Sequence, residues 1–184
     1  MLNNRTEFER VVYDEKFRPL ITEKQVRERT AELGKQITED YRGLHPILIC
    51  VLNGGFIFMA DLVRQIELDL EVDFIRISSY GDAMKSSGNV RLVKDVNAEL
   101  KNRHVLLVED IVDTGLSLQF LSEKMAEYDP ASIKFVTLLW KKEKARVETH
   151  IDYVGFEIPD SFVVGYGLDH KQILRNLPAV YVMD

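Results

Sequence analysis

The residues best suited to chemistry lie together at 108–117, reading VEDIVDTGLS. Glu109, Asp110 and Asp113 place three carboxylates within five residues; such groups repel one another unless a cation offsets them. Directly beside them, Thr114 and Ser117 supply hydroxyls and Gly115 supplies a flexible turn. If a helix begins there, its free backbone N–H groups complete a concave cradle for a phosphate dianion. Acidic pair and cradle are adjacent, so one ligand with a terminal phosphate on one side and metal-binding oxygens on the other would span both. A ribose phosphate has that layout. The plainer reading, in which the acids end a strand and Asp113 caps a helix, needs one acid where three are present.

A strand must deliver this turn and a helix must leave it. Residues 105–108 are wholly apolar, the polar stretch 109–115 interrupts, and Leu118, Leu121, Met125 and Tyr128 follow at helical spacing up to Asp129-Pro130. The same unit stands earlier: the apolar run 47–52, then Asn53-Gly54-Gly55, then Met59, Val63 and Ile66 at helical spacing. Before it, Thr22 with Gln25 forms a capping box, and Val26, Thr30, Leu33, Ile37 and Tyr41 recur on one face of an amphipathic helix. Residues 72–79 lean to strand, 80–89 are small and polar with glycines at 81 and 88, and 90–93 resume strand character, which together predict a mobile hairpin. A further apolar strand covers 133–140. Alternating strands and helices, with uninterrupted apolar strands, predict a doubly wound α/β fold: a central, mostly parallel twisted sheet flanked by helices. Ligands then bind at the carboxyl ends of the strands, where 109–117 lies. The segments 153–158 and 162–166, with a short terminal stretch, are strand-rich without a helix partner and predict a small hood built from about 150–184.

The chain has 184 residues, which suits a single domain over 1–184. Thirty acidic against 24 basic residues give a net charge of −6, arguing against a broad grip on nucleic acid and for small-molecule substrates. No apolar stretch approaches the roughly 20 residues needed to cross a bilayer, and the polar start shows no secretory segment, so neither membrane nor export is expected. The lone cysteine, Cys50, sits inside an apolar run and reads as a small core residue of a reducing, cytoplasmic protein. His45, His104, His150 and His170 show no paired ligand spacing, which argues against zinc.

Read as a whole, Val108-Glu109-Asp110-Ile111-Val112-Asp113-Thr114-Gly115-Leu116-Ser117 resembles the 5-phosphoribosyl-1-pyrophosphate (PRPP) motif of type I phosphoribosyltransferases. Three other stretches narrow the resemblance to the hypoxanthine-guanine phosphoribosyltransferases. Leu52-Asn53-Gly54-Gly55 is similar to their pyrophosphate loop, Ser78-Ser79-Tyr80-Gly81 to the start of their mobile catalytic loop, and VGFEIPDSFVVGYGLD at 154–169 to their purine-site signature. The likeness runs from about residue 47 to the C-terminus.

The resemblance implies Mg2+-dependent transfer of a phosphoribosyl group from PRPP to a 6-oxopurine in purine salvage, by a homodimer or homotetramer. It implies that Glu109, Asp110 and Asp169 serve the metal, and that Asp113, Thr114, Gly115, Leu116 and Ser117 receive the 5′-phosphate. It assigns Asn53, Gly54 and Arg175 to pyrophosphate, and Lys141, Phe162, Val163 and Asp169 to the purine. In that scheme Asp113 is the base at purine N7, Lys141 donates to O6, Phe162 stacks on the ring, Val163 reads its edge through the backbone, and Ser79 and Tyr80 close over the substrates. Alone, Lys141 reads as a solvated lysine, Phe162 as a core aromatic and Arg175 as half of a surface salt bridge. One position departs from the pattern: the pyrophosphate loop often has a basic residue where Asn53 stands, which shifts the load to the Gly54 amide, Arg175 and metal, and weakens any expectation of a strained Leu52–Asn53 peptide. Two other readings compete. A non-catalytic PRPP sensor or nucleic-acid regulator calls for a basic surface, which an acidic chain does not suggest; a phosphotransfer receiver leaves Thr-Gly-Leu-Ser and the purine signature unused.

Overall fold

Two uninterrupted apolar runs form the middle of the main sheet. β2 (Ile47–Leu52) and β5 (His104–Val112) pair in parallel with Cys50 opposite Val108. Such strands need cover on both faces, and the alternation of side chains along a strand divides them between two cores. Leu48, Cys50, Leu106 and Val108 join one cluster with Val26, Leu33 and Ile37 of α1 (Glu23–Asp40) and Phe58, Met59 and Leu62 of α2 (Phe56–Val63). Ile47, Ile49, Val51, Val105 and Leu107 face the other way, against Leu118, Leu121 and Met125 of α3 (Leu116–Ala126). The computed structural model describes residues 17–80, 89–146 and 150–183.

β3 (Glu71–Tyr80), β4 (Asn89–Lys94), β6 (Ser132–Trp140) and β7 (Tyr153–Glu157) complete a six-stranded sheet in the order β4-β3-β2-β5-β6-β7, parallel except for β4. A second, antiparallel sheet of order β1-β9-β8 joins β1 (Phe17–Ile21), β9 (Val180–Met183) and β8 (Val163–Val164). α1 opens with the expected capping box: Thr22 Oγ1 accepts the Gln25 N–H at 3.3 Å, and Gln25 Oε1 accepts the Thr22 N–H at 2.9 Å.

Three expectations change. The strand before the acidic turn does not stop at Val108 but runs to Val112, because the long β6 offers it partners: Glu109 lies opposite Thr137, and Val112 opposite Trp140. Glu109 and Asp110 are thus strand residues. The segment around Tyr153–Glu157, assigned to the hood, is instead the edge of the main sheet, paired in parallel with β6. Gly155 lets it lie against the Leu138 backbone, and Arg29 of α1 donates to the Val154 and Gly155 carbonyls at 2.8 and 3.0 Å. The hood strand expected at 162–166 is only Val163–Val164, and its sheet is completed from both ends of the chain by β1 and β9. The predicted hairpin is anchored where β3 and β4 pair, Tyr80 opposite Asn89; Gly81 and Gly88 lie outside the described residues.

Candidate active site

At the carboxyl end of β5, Glu109 is only 5% exposed, and its Oε1 has no hydrogen-bond partner among the described residues. Burial, reinforced by the neighbouring Asp110 charge, pushes its carboxyl up to about 8. Asp110 is raised to about 6, again chiefly by burial; backbone N–H groups and Arg175 oppose the shift, and Asp169 adds to it. Two adjacent carboxylates that resist ionisation, with a third nearby, are in an environment that a cation would relieve.

Gly54 fixes Asp110 against the loop after β2. A Cβ on Gly54 would overlap the Asp110 carboxylate, and a Cβ on Gly167 would run into the Gly54 carbonyl, so the Gly54 backbone is clasped between β5 and the loop beyond β8. That loop is tightly coiled, with left-handed φ at Gly165, Tyr166, Gly167, Lys171, Gln172 and Leu174, a backbone region that non-glycine residues enter only when their surroundings hold them there. Within it Arg175 donates to the Gly167 carbonyl at 2.7 Å and pairs with Asp169 Oδ1 at 2.7 Å. Arg175 is therefore half-buried and paired with Asp169, whose charge acts on Asp110, rather than forming an isolated surface salt bridge. The Leu52–Asn53 peptide is cis, contrary to the expectation drawn from the Asn53 departure, and the Asn53 side chain faces solvent. Among the described residues no three His, Cys, Asp or Glu side chains converge as a self-sufficient metal cage. Glu109, with one oxygen lacking a partner among the described residues, and Asp110, whose charge interacts with that of Asp169, are carboxylates that could hold a hard divalent ion only if ligand oxygens and water completed its coordination.

Beyond Val112 the chain turns into α3 through Gly115, whose φ of 83° is left-handed and which has no side chain to cap the helix. Asp113 therefore does not cap α3, and the first-turn N–H groups, which have no intrahelical acceptors, border the half-buried Thr114 and Ser117. The segment after β6 is stitched to this turn: the Lys141 N–H donates to the Val112 carbonyl at 2.9 Å and the Arg146 N–H to the Thr114 carbonyl at 3.0 Å.

That stitching brings Lys141 beside Asp113. Lys141 is 8% exposed; its Nζ lies 3.2 Å from Asp160 Oδ1 and 3.9 Å from Asp113 Oδ1. Lys144, one turn further along the 3-10 segment Lys142–Lys144, places Nζ 3.0 Å from Asp113 Oδ2 and 3.0 Å from Asp160 Oδ1. Asp113 Oδ1 is buried without a hydrogen-bond partner among the described residues. Burial disfavours the Lys144 charge, but hydrogen bonds to Asp160 and Asp113 outweigh it and hold the ammonium above its usual range; Asp160 is held low, chiefly by Lys144. Two residues past Asp160, Phe162 is 49% exposed, and the His170 ring meets it edge-on at 5.6 Å. The Val163 side chain is buried, and its backbone lies in register with Val182. Ser79 and Tyr80 end β3; their side chains are not among those described.

The structure thus brings Asp110 together with Gly54, Asp169 and Arg175 at the end of β5, with Glu109 the preceding residue of the strand, and sets Lys141 beside Asp113, Thr114–Ser117 lying at the start of α3. Sequence reasoning missed Lys144, Asp160, His170 and Gly167. The available signals were faint: Lys144 stands one helical turn from Lys141, while the other three lie in or beside the stretch 154–169 without distinctive spacing.

Residues 21–171 match the family model of the phosphoribosyl transferase domain. The chain is 44% identical over 164 residues to the hypoxanthine-guanine phosphoribosyltransferase of Bacillus subtilis, covering 89% of this chain and 91% of that protein. It is 46% identical to the enzyme of the same name from Streptococcus pneumoniae, with the same coverage of both chains. Among solved structures, a hypoxanthine-guanine phosphoribosyltransferase from Bacillus anthracis with a HEPES molecule in its active site superposes with a TM-score of 0.87 at 43% identity, covering 91% of this chain and 98% of the other. With acidic strand end, glycine-capped helix and lysine-aspartate cluster already in place, these likenesses establish that the chain belongs to the phosphoribosyltransferase family, in its hypoxanthine-guanine branch.

Proposed function

We propose that the protein transfers the 5-phosphoribosyl group of PRPP to N9 of a 6-oxopurine, hypoxanthine or guanine, releasing pyrophosphate and forming the nucleoside monophosphate in purine salvage. The observation behind this reading is the closeness of the buried Lys141 ammonium, 3.9 Å away, to Asp113 Oδ1, which has no hydrogen-bond partner among the described residues. A 6-oxopurine with a proton on N7 offers a donor at N7 and an acceptor at O6; Asp113 and Lys141 match them in turn. Adenine presents an amino group at the 6-position, which an ammonium cannot use as a hydrogen-bond acceptor of the same kind.

In the reaction the C1–O bond to pyrophosphate breaks with its electron pair leaving on oxygen, the N9–C1 bond forms, and the N7 proton passes to Asp113. The amides and hydroxyls of 113–117, contributed by Asp113, Thr114, Gly115, Leu116 and Ser117, hold the 5′-phosphate. Asn53, Gly54 and Arg175 receive pyrophosphate; a guanidinium suits a polyanion through forked hydrogen bonds. Phe162 stacks on the purine, Val163 meets its edge through the backbone, and Ser79 and Tyr80 lie on the segment that excludes water. Mg2+ held by Glu109, Asp110 and Asp169 together with substrate oxygens would offset charge on the departing pyrophosphate. We place the protein in the cytoplasm, as one domain assembled into a homodimer or homotetramer; cell fractionation tests the first and light scattering the second.

The test is nucleotide formation from PRPP with Mg2+ and hypoxanthine, guanine, xanthine or adenine in turn, beside Asp113→Asn. IMP or GMP formation, with adenine inert and the variant slowed about 10²–10⁴-fold, is the expected result; PRPP binding without nucleotide from any base would overturn it.

A further inference from the structure

Lys144 has no part in the scheme above, yet it makes the shortest ion pair to Asp113, 3.0 Å from Oδ2. Asp160 Oδ1 also accepts from it at 3.0 Å and from Lys141 at 3.2 Å. Two ammoniums and two carboxylates therefore alternate around one small cluster of zero net charge. We infer that Lys144, acting through its contacts to Asp113 and Asp160, is a positioning residue that sets the spacing and orientation of the purine-reading pair Asp113 and Lys141.

A carboxylate on a strand-end turn is free to rotate about its last bond, exchanging its two oxygens and sweeping its lone pairs. Lys144 binds Oδ2, while Oδ1 has no hydrogen-bond partner among the described residues and is the oxygen of Asp113 left unpaired for a base. Lys141 stands 3.9 Å from that oxygen, beyond hydrogen-bond reach, and is drawn off by Asp160. The Asp113 acceptor is thus kept apart from the Lys141 donor when no base lies between them. Were Lys144 absent, Lys141 would be the remaining cation of the cluster, and its contact with Asp113 would occupy both groups that the base needs. Misplacement by about 1 Å is enough to slow a reaction on the order of 10²-fold. Lys144 is one-third exposed on a surface turn, so its removal leaves both cores intact.

This inference rests on the reading of Asp113 as the N7 proton acceptor, and the experiment separates the two. Single-turnover nucleotide formation at saturating PRPP, Mg2+ and hypoxanthine, and the steady-state KM for PRPP, are measured for the native protein, Lys144→Met, Lys144→Arg, Asp160→Asn, the double variant Lys144→Met/Asp160→Asn, and Asp113→Asn. Lys144→Met should be slowed about tenfold, a fraction of the general-base contribution, with KM for PRPP within about twofold of native; Lys144→Arg should recover most of the rate. The double variant should be no slower than its worse single parent, since the two residues act as a unit. A native rate for Lys144→Met beside a slow Asp113→Asn overturns the inference alone. A native rate for Asp113→Asn overturns the reading beneath it. A loss that arginine fails to restore and that is matched by a rise in KM for PRPP marks a merely structural role and also overturns the inference.

Discussion

Glu109 ties the chemistry of a single side chain to the stability of the whole fold. Its carboxyl is raised from an ordinary value of 4.5 to about 8 by burial and by the Asp110 charge, so the folded chain binds its proton more tightly than the unfolded one. Below about pH 4.5 both states are protonated and the group is neutral to stability; as pH rises toward 8 ionisation favours unfolding, and above 8 the penalty is complete. Glu109→Gln removes the charge that has to be buried. In the metal-free protein its Tm should exceed the native value by an amount that grows from pH 5 to pH 8, each pK unit corresponding to about 1.4 kcal/mol; a Tm difference that is flat with pH would count against a buried, proton-holding Glu109. The residue types at 109–117 were legible in the sequence because three acids beside two hydroxyls have no ordinary structural use. Lys144 and Asp160 were not legible: their pairing depends on how the turn after β6 folds back toward the loop after β7, which no local spacing encodes.

At the scale of elements, the apolar runs behind β2, β5 and β6 and the capped face of α1 read directly from the sequence, since continuous burial and helical periodicity leave plain patterns. The hood did not, because its β1 and β9 join residues from opposite ends of the chain, and β7 was misplaced because its five residues alternate too weakly to declare a partner. Gly34 marks a joint between elements that is remote from the chemistry. A Cβ there would collide with the Gln65 Cβ and backbone, so α1 and the end of α2 approach closely only because position 34 lacks a side chain. Gly34→Ala should destabilise the fold by about 1–3 kcal/mol through overpacking, read as a lower midpoint in urea, while the KM values for PRPP and base stay unchanged; an equal loss of substrate affinity would show that the α1–α2 joint also shapes the site.

Across the whole molecule, the proposed PRPP site draws on the loop after β2, the end of β5, the start of α3 and the coil beyond β8. A ligand touching all of them binds only the folded chain. PRPP with Mg2+ at a hundredfold excess over its Kd should therefore stabilise the fold by about 2.7 kcal/mol, a rise in Tm of roughly 5–10 °C for a chain of this size. Chelating the metal should abolish most of that gain together with nucleotide formation; an unchanged PRPP-induced shift after chelation would remove the acidic pair from PRPP binding.

The clasp around Gly54 also governs how the loop is able to diverge over generations. Gly54 is hemmed in by Asp110 on one side and Gly167 on the other, positions inherited separately along the chain, so a side chain at 54 or 167 would need simultaneous accommodation by its neighbours. Asn53, one residue earlier, points to solvent and has no such obligations. A change of charge at position 53 therefore leaves the packing around Gly54 unaltered, whereas a side chain at 54 or 167 would not.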